Sequence, residues 1–155
     1  MASRGNQGFI RPTQLIWKLS DIARQFRERR VLPASAAKGK RGEDLAHRFL
    51  RHKGLTVLAR NYRPNPGKAE VDIVAQEGDI VVFVEVKSRA TDDFGSPDRA
   101  IGEDKQRRIV AAARSYTTKA GIPWSNVRFD TISIIFGTTP AITHQRDVFF
   151  HGSAQ

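Results

Sequence analysis

The stretch Ile80 to Ser88 constrains the fold more than any other part of the chain. It is nearly all apolar and rich in β-branched and aromatic side chains (Val81, Val82, Phe83, Val84 and Val86), which is the pattern of a central strand. The segments around it fall into a simple order. Before it, a helix is predicted over about Lys38–Lys53, with Leu45, Ala46, Phe49 and Leu50 as its buried stripe and Gly54 as its stop. Strands are predicted over Leu55–Tyr62 and Ala69–Gln76, separated by the turn-rich Pro64, Asn65, Pro66 and Gly67. After it come a polar loop from Ala90 to Pro97 and a helical region to about Lys119, opened by Ser96 and Pro97 and interrupted near Gly102. That region buries Ile109, Ala112, Ala113 and Tyr116, and Gly121 and Pro123 end it. Two strands, Val127–Phe136 and Ala141–Phe150, close the chain before a tail over 151–155. The order α-βββ-α-ββ predicts an α/β domain over 38–150, a mixed β-sheet flanked by helices, because a hairpin joins antiparallel neighbours and a helical crossover joins parallel ones.

Residues 1–37 read as a separate basic extension. After a disordered tip, Ile16, Leu19, Ala23 and Phe26 recur at helical spacing, so one amphipathic helix is expected over about Thr13–Arg30. Two readings stand for it: a helix resting on the domain, or an arm for polyanions or a membrane surface. Pro33 and the small residues Ala34, Ser35, Ala36 and Ala37 mark the boundary.

The formal net charge is +10, with 26 Lys and Arg against 16 Asp and Glu. Such a surface attracts polyanions, nucleic acid foremost. The surplus is uneven: residues 1–38 carry 8 basic and 2 acidic side chains, and 39–155 carry 18 and 14. There is no cysteine, which removes disulfides, thiolate metal ligands and a cysteine nucleophile and is compatible with a reducing compartment. No apolar run approaches the roughly 20 residues that span a bilayer, and Ile10 is followed at once by Arg11 and Pro12, so no secretory core is present. A cytoplasmic protein is expected.

Two places break the apolar pattern of the sheet. Glu70 and Asp72 stand on either side of Val71, and Glu85 and Lys87 on either side of Val86. Residues two apart in a strand share a face. With a two-residue hairpin loop, Gly78-Asp79, Glu77 opposes Ile80, Asp72 opposes Glu85 and Glu70 opposes Lys87. A three-residue loop without a bulge would put the pairs on opposite faces. Glycine at the first loop position suits a type II′ turn and favours the shorter loop. Two acids facing each other repel, and burying them costs several kcal/mol unless a cation compensates. Hard Mg²⁺ accepts one or two carboxylates, with water and phosphate oxygens completing its shell. The other reading of the same residues is a solvated strand face with an ordinary Glu70–Lys87 salt bridge.

The spacing of Asp72 to Glu85-Val86-Lys87 resembles the PD-(D/E)xK nuclease superfamily, which includes restriction endonucleases and Holliday-junction resolvases. More closely, the chain resembles the bacterial UPF0102 (YraN-like) family. The matching blocks are Lys40 to Ala46, Arg60-Asn61-Tyr62-Arg63, Glu70 to Ala75, Val82 to Arg89 and Arg128-Phe129-Asp130, in that order. One departure is Ala69, which stands where the family often has glycine.

The resemblance implies a restriction endonuclease-like core and a Mg²⁺-dependent endonuclease (Mn²⁺ as substitute) acting on DNA in preference to RNA, branched or repair intermediates included. It implies Glu43, Asp72, Glu85 and Lys87 as the catalytic set. Asp72 and Glu85 would hold the metal with the Val86 carbonyl, Glu43 would add a further contact, and Lys87 would act on the water. Arg89, Lys105 and Arg108 are the expected phosphate contacts, and Glu70 is a supporting acid. By analogy with the resolvases a homodimer is expected. Three alternatives remain beside this. Glu43 would equally complement a helix dipole. Arg128 and Asp130 share a strand face and are expected to be structural. The domain would equally serve as a non-catalytic nucleic-acid-binding module. The four histidines, His47, His52, His144 and His151, form no ligand set and are expected at the surface.

Overall fold

A computed structural model describes residues 34–65, 69–90 and 101–148. The expected N-terminal helix, the Ser96–Pro97 cap and the 151–155 tail lie outside these residues. The element order is α1 (Ala34–His52), β1 (Thr56–Tyr62), β2 (Val71–Glu77), β3 (Ile80–Ala90), α2 (Glu103–Ala120), a short 3₁₀ turn (Trp124–Asn126), β4 (Val127–Phe136) and β5 (Ala141–Gln145). This is the expected helix, three strands, helix, two strands of a restriction endonuclease-like core.

Two boundaries differ from expectation, and a third falls where a break was expected. Helix α1 starts at Ala34 rather than Lys38, because the small residues read as a break include three alanines, the best helix formers. Helix α2 starts at Glu103, directly after the non-helical Gly102, where a break was expected. β5 ends at Gln145, five residues short of the expected end.

The five strands form one sheet in the order β1-β2-β3-β4-β5. β1, β2 and β3 are antiparallel neighbours, β3 and β4 run parallel, and β5 returns antiparallel to β4. The single parallel pairing requires a crossover, and α2 lies on it. β3 is central as expected, with Val81, Val82, Phe83 and Val84 all buried.

Alternation along β3 divides the core. Val82 and Val84 pack with Ala46 and Leu50 of α1 and with Ile73, Ala75, Ile132 and Ile134. Val81 and Phe83 pack with Ile109, Ala112, Ala113 and Tyr116 of α2 and with Val74, Val127 and Phe129. One helix therefore covers each face of the sheet. The predicted stripe of α1 holds, with Ala46 and Leu50 fully buried and Leu45 and Phe49 packed beside them. Gly54 ends the helix in the left-handed region, φ +89°.

The hairpin between β2 and β3 has the predicted two-residue loop. Glu77 pairs with Ile80, and the ladder runs from there to Ile73 and Val84. Gly78 has φ +58°, a value that glycine adopts without strain.

Candidate metal and catalytic site

One step beyond Ile73 and Val84, the β2–β3 ladder would place Asp72 opposite Glu85. The backbone ladder stops there because a side chain takes over: the Val86 N–H donates to Asp72 Oδ2 at 2.7 Å. By alternation from Val74 on β2 and from Val81 and Phe83 on β3, Asp72, Glu85, Lys87 and Arg89 all lie on the face covered by α2. The geometric condition set by the sequence, acids and lysine on one face, is met.

From α2, Lys105 reaches back and places Nζ 3.0 Å from Glu85 Oε1. Glu85 is only 12% exposed in its side chain, and its second oxygen, Oε2, is buried with no hydrogen-bond partner. The Asp72 carboxyl is pushed up to about 7, first by burial and then by the negative field of Glu85. The Val86 N–H and Lys105 oppose that rise, and Glu43 adds to it. Lys87 is shifted down, chiefly by burial and further by Arg89 and Lys105, although Glu85 pulls it the other way. An aspartate whose anion is disfavoured, beside a buried glutamate oxygen with no donor, makes surroundings that a hard divalent cation would relieve.

The other predicted residues divide. Glu43 comes from α1 and acts on Asp72 through its charge. Its Oε2, however, accepts from Asn61 Nδ2 at 2.9 Å and Arg60 Nη2 at 3.3 Å, so its carboxylate is tethered to β1. Among the described residues no three acidic or histidine side chains cluster closely enough to hold a metal together. Asp72 and Glu85 are thus the two acids that the fold sets side by side, while Glu43 is held by β1. Glu70 pairs with Arg63 at 2.6 Å, at the margin of the site, where its field also reaches Lys105. Arg108 is exposed one turn after Lys105 on α2.

Arg128 and Asp130 lie on the other face, toward α1, where Asp130 alternates with Ile132. Arg128 donates Nε and Nη2 to the two Asp130 oxygens at 2.9 and 3.0 Å and Nη1 to Glu77 at 2.6 Å. His144 Nε2 stands 2.9 Å from Asp130 Oδ2, and the Asp147 N–H donates to Oδ1 at 3.0 Å. Burial pushes the Asp130 carboxyl up, but His144, Arg128 and the Asp147 amide together hold it below the usual range. This network braces β2, β4 and β5 from behind, the structural role expected for the pair. The expectation that His144 is a surface residue is corrected. It is 12% exposed, bonded to Asp130 and edge-on to the Phe49 ring, because the β4–β5 register sets it opposite Ile132.

The residues that sequence reasoning left without a role are Arg60 and Asn61. Arg60 also bridges to Asp44 at 2.6 Å, and Asn61 takes φ +51° where β1 passes Glu43. The signal was present in the Arg60-Asn61 block itself, which carries polar groups into a strand whose neighbours Ala59 and Tyr62 are buried.

Comparison with known proteins places the chain among relatives. The model of the uncharacterised protein family UPF0102 matches residues 42–134, from the glycine before Glu43 into β4. A UPF0102 protein of Solibacter usitatus is 47% identical over 111 residues, which is 72% of this chain and 84% of the relative. One from Rhodococcus jostii is 46% identical over 115 residues, 73% of this chain and 96% of its own length. One from Dictyoglomus turgidum is 44% identical over 97 residues, 63% and 80%. All the residues of the site described above fall within the matched range. Among the described residues no helix is long and apolar enough to cross a membrane.

Proposed function

The chain belongs to the UPF0102 family, and from that premise and the geometry of the Asp72–Glu85 pair we propose that it is a metal-dependent endonuclease that hydrolyses phosphodiester bonds of DNA. The observation that carries this reading is the buried, partnerless Glu85 Oε2 beside an Asp72 whose charged form is disfavoured. A protein spends stability to keep two acids together in this way, and binding a cation gives the arrangement a use.

Asp72 and Glu85 would hold Mg²⁺ or Mn²⁺, which when bound would offset the charge developing on the phosphoryl oxygens. The protein's own groups do the rest. The Val86 N–H fixes one Asp72 oxygen, Oδ2, and with it the set of the carboxylate. Lys87, shifted by burial toward releasing its proton, would take a proton from the attacking water or orient it as the new P–O bond forms and the old one breaks. Arg89, on the same face, and the exposed Arg108 would hold flanking phosphates. Glu43, gripped by Arg60 and Asn61, would orient water at the edge of the site.

The test is cleavage of linear and branched DNA by the purified full chain with Mg²⁺ or Mn²⁺. Wild type should give products that vanish on chelation, and Asp72→Asn and Lys87→Ala should each lower the rate by about 10³-fold or more while circular dichroism stays native. Salt-sensitive binding without products from wild type would instead make the domain a nucleic-acid-binding module.

A further inference from the structure

The acid pair already has a cation, and it belongs to the protein. Lys105 Nζ sits 3.0 Å from Glu85 Oε1 and feels the fields of Asp72 and Glu70 as well. Yet Lys105 is a poor permanent partner. Its side chain is 44% exposed while that of Glu85 is 12% exposed, so the ammonium reaches a buried carboxylate from the solvent side. It stands in the opening turn of α2, on a flexible four-carbon stem, and it satisfies only one of the two Glu85 oxygens.

We propose that Lys105 is a displaceable counter-ion. It neutralises the Asp72–Glu85 pair in the metal-free protein, leaves Glu85 when a divalent cation binds, and is thereby freed toward the phosphates of a bound nucleic acid. The inference rests on the reading of Asp72 and Glu85 as metal ligands. A divalent ion bound to either Glu85 oxygen meets the ammonium across a single carboxylate, and two cations so placed repel strongly where water is scarce. The exposed stem gives Lys105 somewhere to go. The ammonium and the metal thus compete for one position, so the metal binds more weakly than the bare carboxylates would allow. A polyanion that engages the released ammonium would favour metal binding in turn.

Calorimetric titration of Mn²⁺ into the full chain, without nucleic acid, tests this. Lys105→Met and Lys105→Gln should each tighten Mn²⁺ binding about tenfold, within the usual range of coupling between two ligands. Arg107→Gln removes the same charge two residues away from a guanidinium that pairs with Asp104 outside the site, and it should stay within about twofold of wild type. Binding by the Lys105 variants where wild type shows none would support the inference equally. Equal affinity in wild type and both Lys105 variants, or equal tightening in Arg107→Gln, would overturn it. If wild-type binding is then still lost in Asp72→Asn, the metal reading stands without the counter-ion. No Mn²⁺ binding by any variant would overturn both.

Discussion

An aspartate in the unfolded chain releases its proton near 3.8, whereas Asp72 in the fold holds its own to about 7, because burial and the nearby Glu85 both disfavour the anion. Between those two values the folded protein carries a proton that the unfolded chain has lost. Stability of the metal-free protein should therefore fall as pH rises from about 4 to about 7 and level off above that. Asparagine keeps an oxygen for the Val86 N–H and removes the charge. Asp72→Asn should flatten this dependence and raise the metal-free melting temperature at pH 8 by about 3–6 °C. Scanning calorimetry of both proteins at pH 5 and pH 8 measures it, and a lower melting temperature for the variant at pH 8 would contradict the account. The same residue shows how far sequence could reach. The Gly78–Asp79 loop gave the strand register, and the register set Asp72 against Glu85. Nothing in the order of residues announced that the Asp72 carboxylate would take the place of a backbone acceptor.

At the scale of elements, the site depends on how closely α1 lies against β3. A methyl group on Gly42 would come 2.7 Å from Ser88 Cβ and 2.9 Å from its hydroxyl, whereas one on Gly39, a turn earlier, would meet nothing within 4 Å. Alanine is favoured over glycine in a helix by about 1 kcal/mol when space allows. Gly39→Ala should therefore stabilise the protein by about 0.5–1 kcal/mol, while Gly42→Ala should cost about 1–3 kcal/mol as the helix is pushed off the strand. Urea denaturation of the two variants checks the opposite signs, and equal stabilisation by both would show that the close approach is not tight. Gly42→Ala also displaces the neighbouring Glu43, so its effect on activity should exceed its effect on stability. Sequence periodicity found both helices and the faces they bury, since Leu45, Ala46, Phe49 and Leu50 repeat as a helix requires. It could not find the grip of Arg60 and Asn61 on Glu43, or that of His144 on Asp130. Those contacts join elements 14 to 18 residues apart and depend on how a helix crosses the sheet or on the β4–β5 register. The start of α1 was misjudged for a related reason: alanines are weak punctuation until packing decides which residue opens a helix.

Over the whole molecule, charge and chemistry are in different places. The first 38 residues carry 8 basic and 2 acidic side chains, while the rest is close to balanced with 18 and 14. Nucleic-acid affinity that depends on released counterions weakens with salt in proportion to the phosphates contacted. Deleting residues 1–37 should therefore weaken DNA binding and flatten its salt dependence, measured by fluorescence anisotropy between about 50 and 200 mM salt, while leaving Mn²⁺ affinity unchanged. An unaltered salt slope would mean that the domain alone meets the backbone. The domain itself is organised back to front, with the acid pair on the α2 face and the Arg128–Asp130–His144 brace on the α1 face. The unaltered protein also carries a gauge of its own. Because the Val86 amide gives its proton to a titrating carboxylate and not to a neighbouring strand, its magnetic resonance signal is tied to the ionisation and occupancy of that carboxylate, a spectroscopic view of the chemistry from the backbone with no label attached.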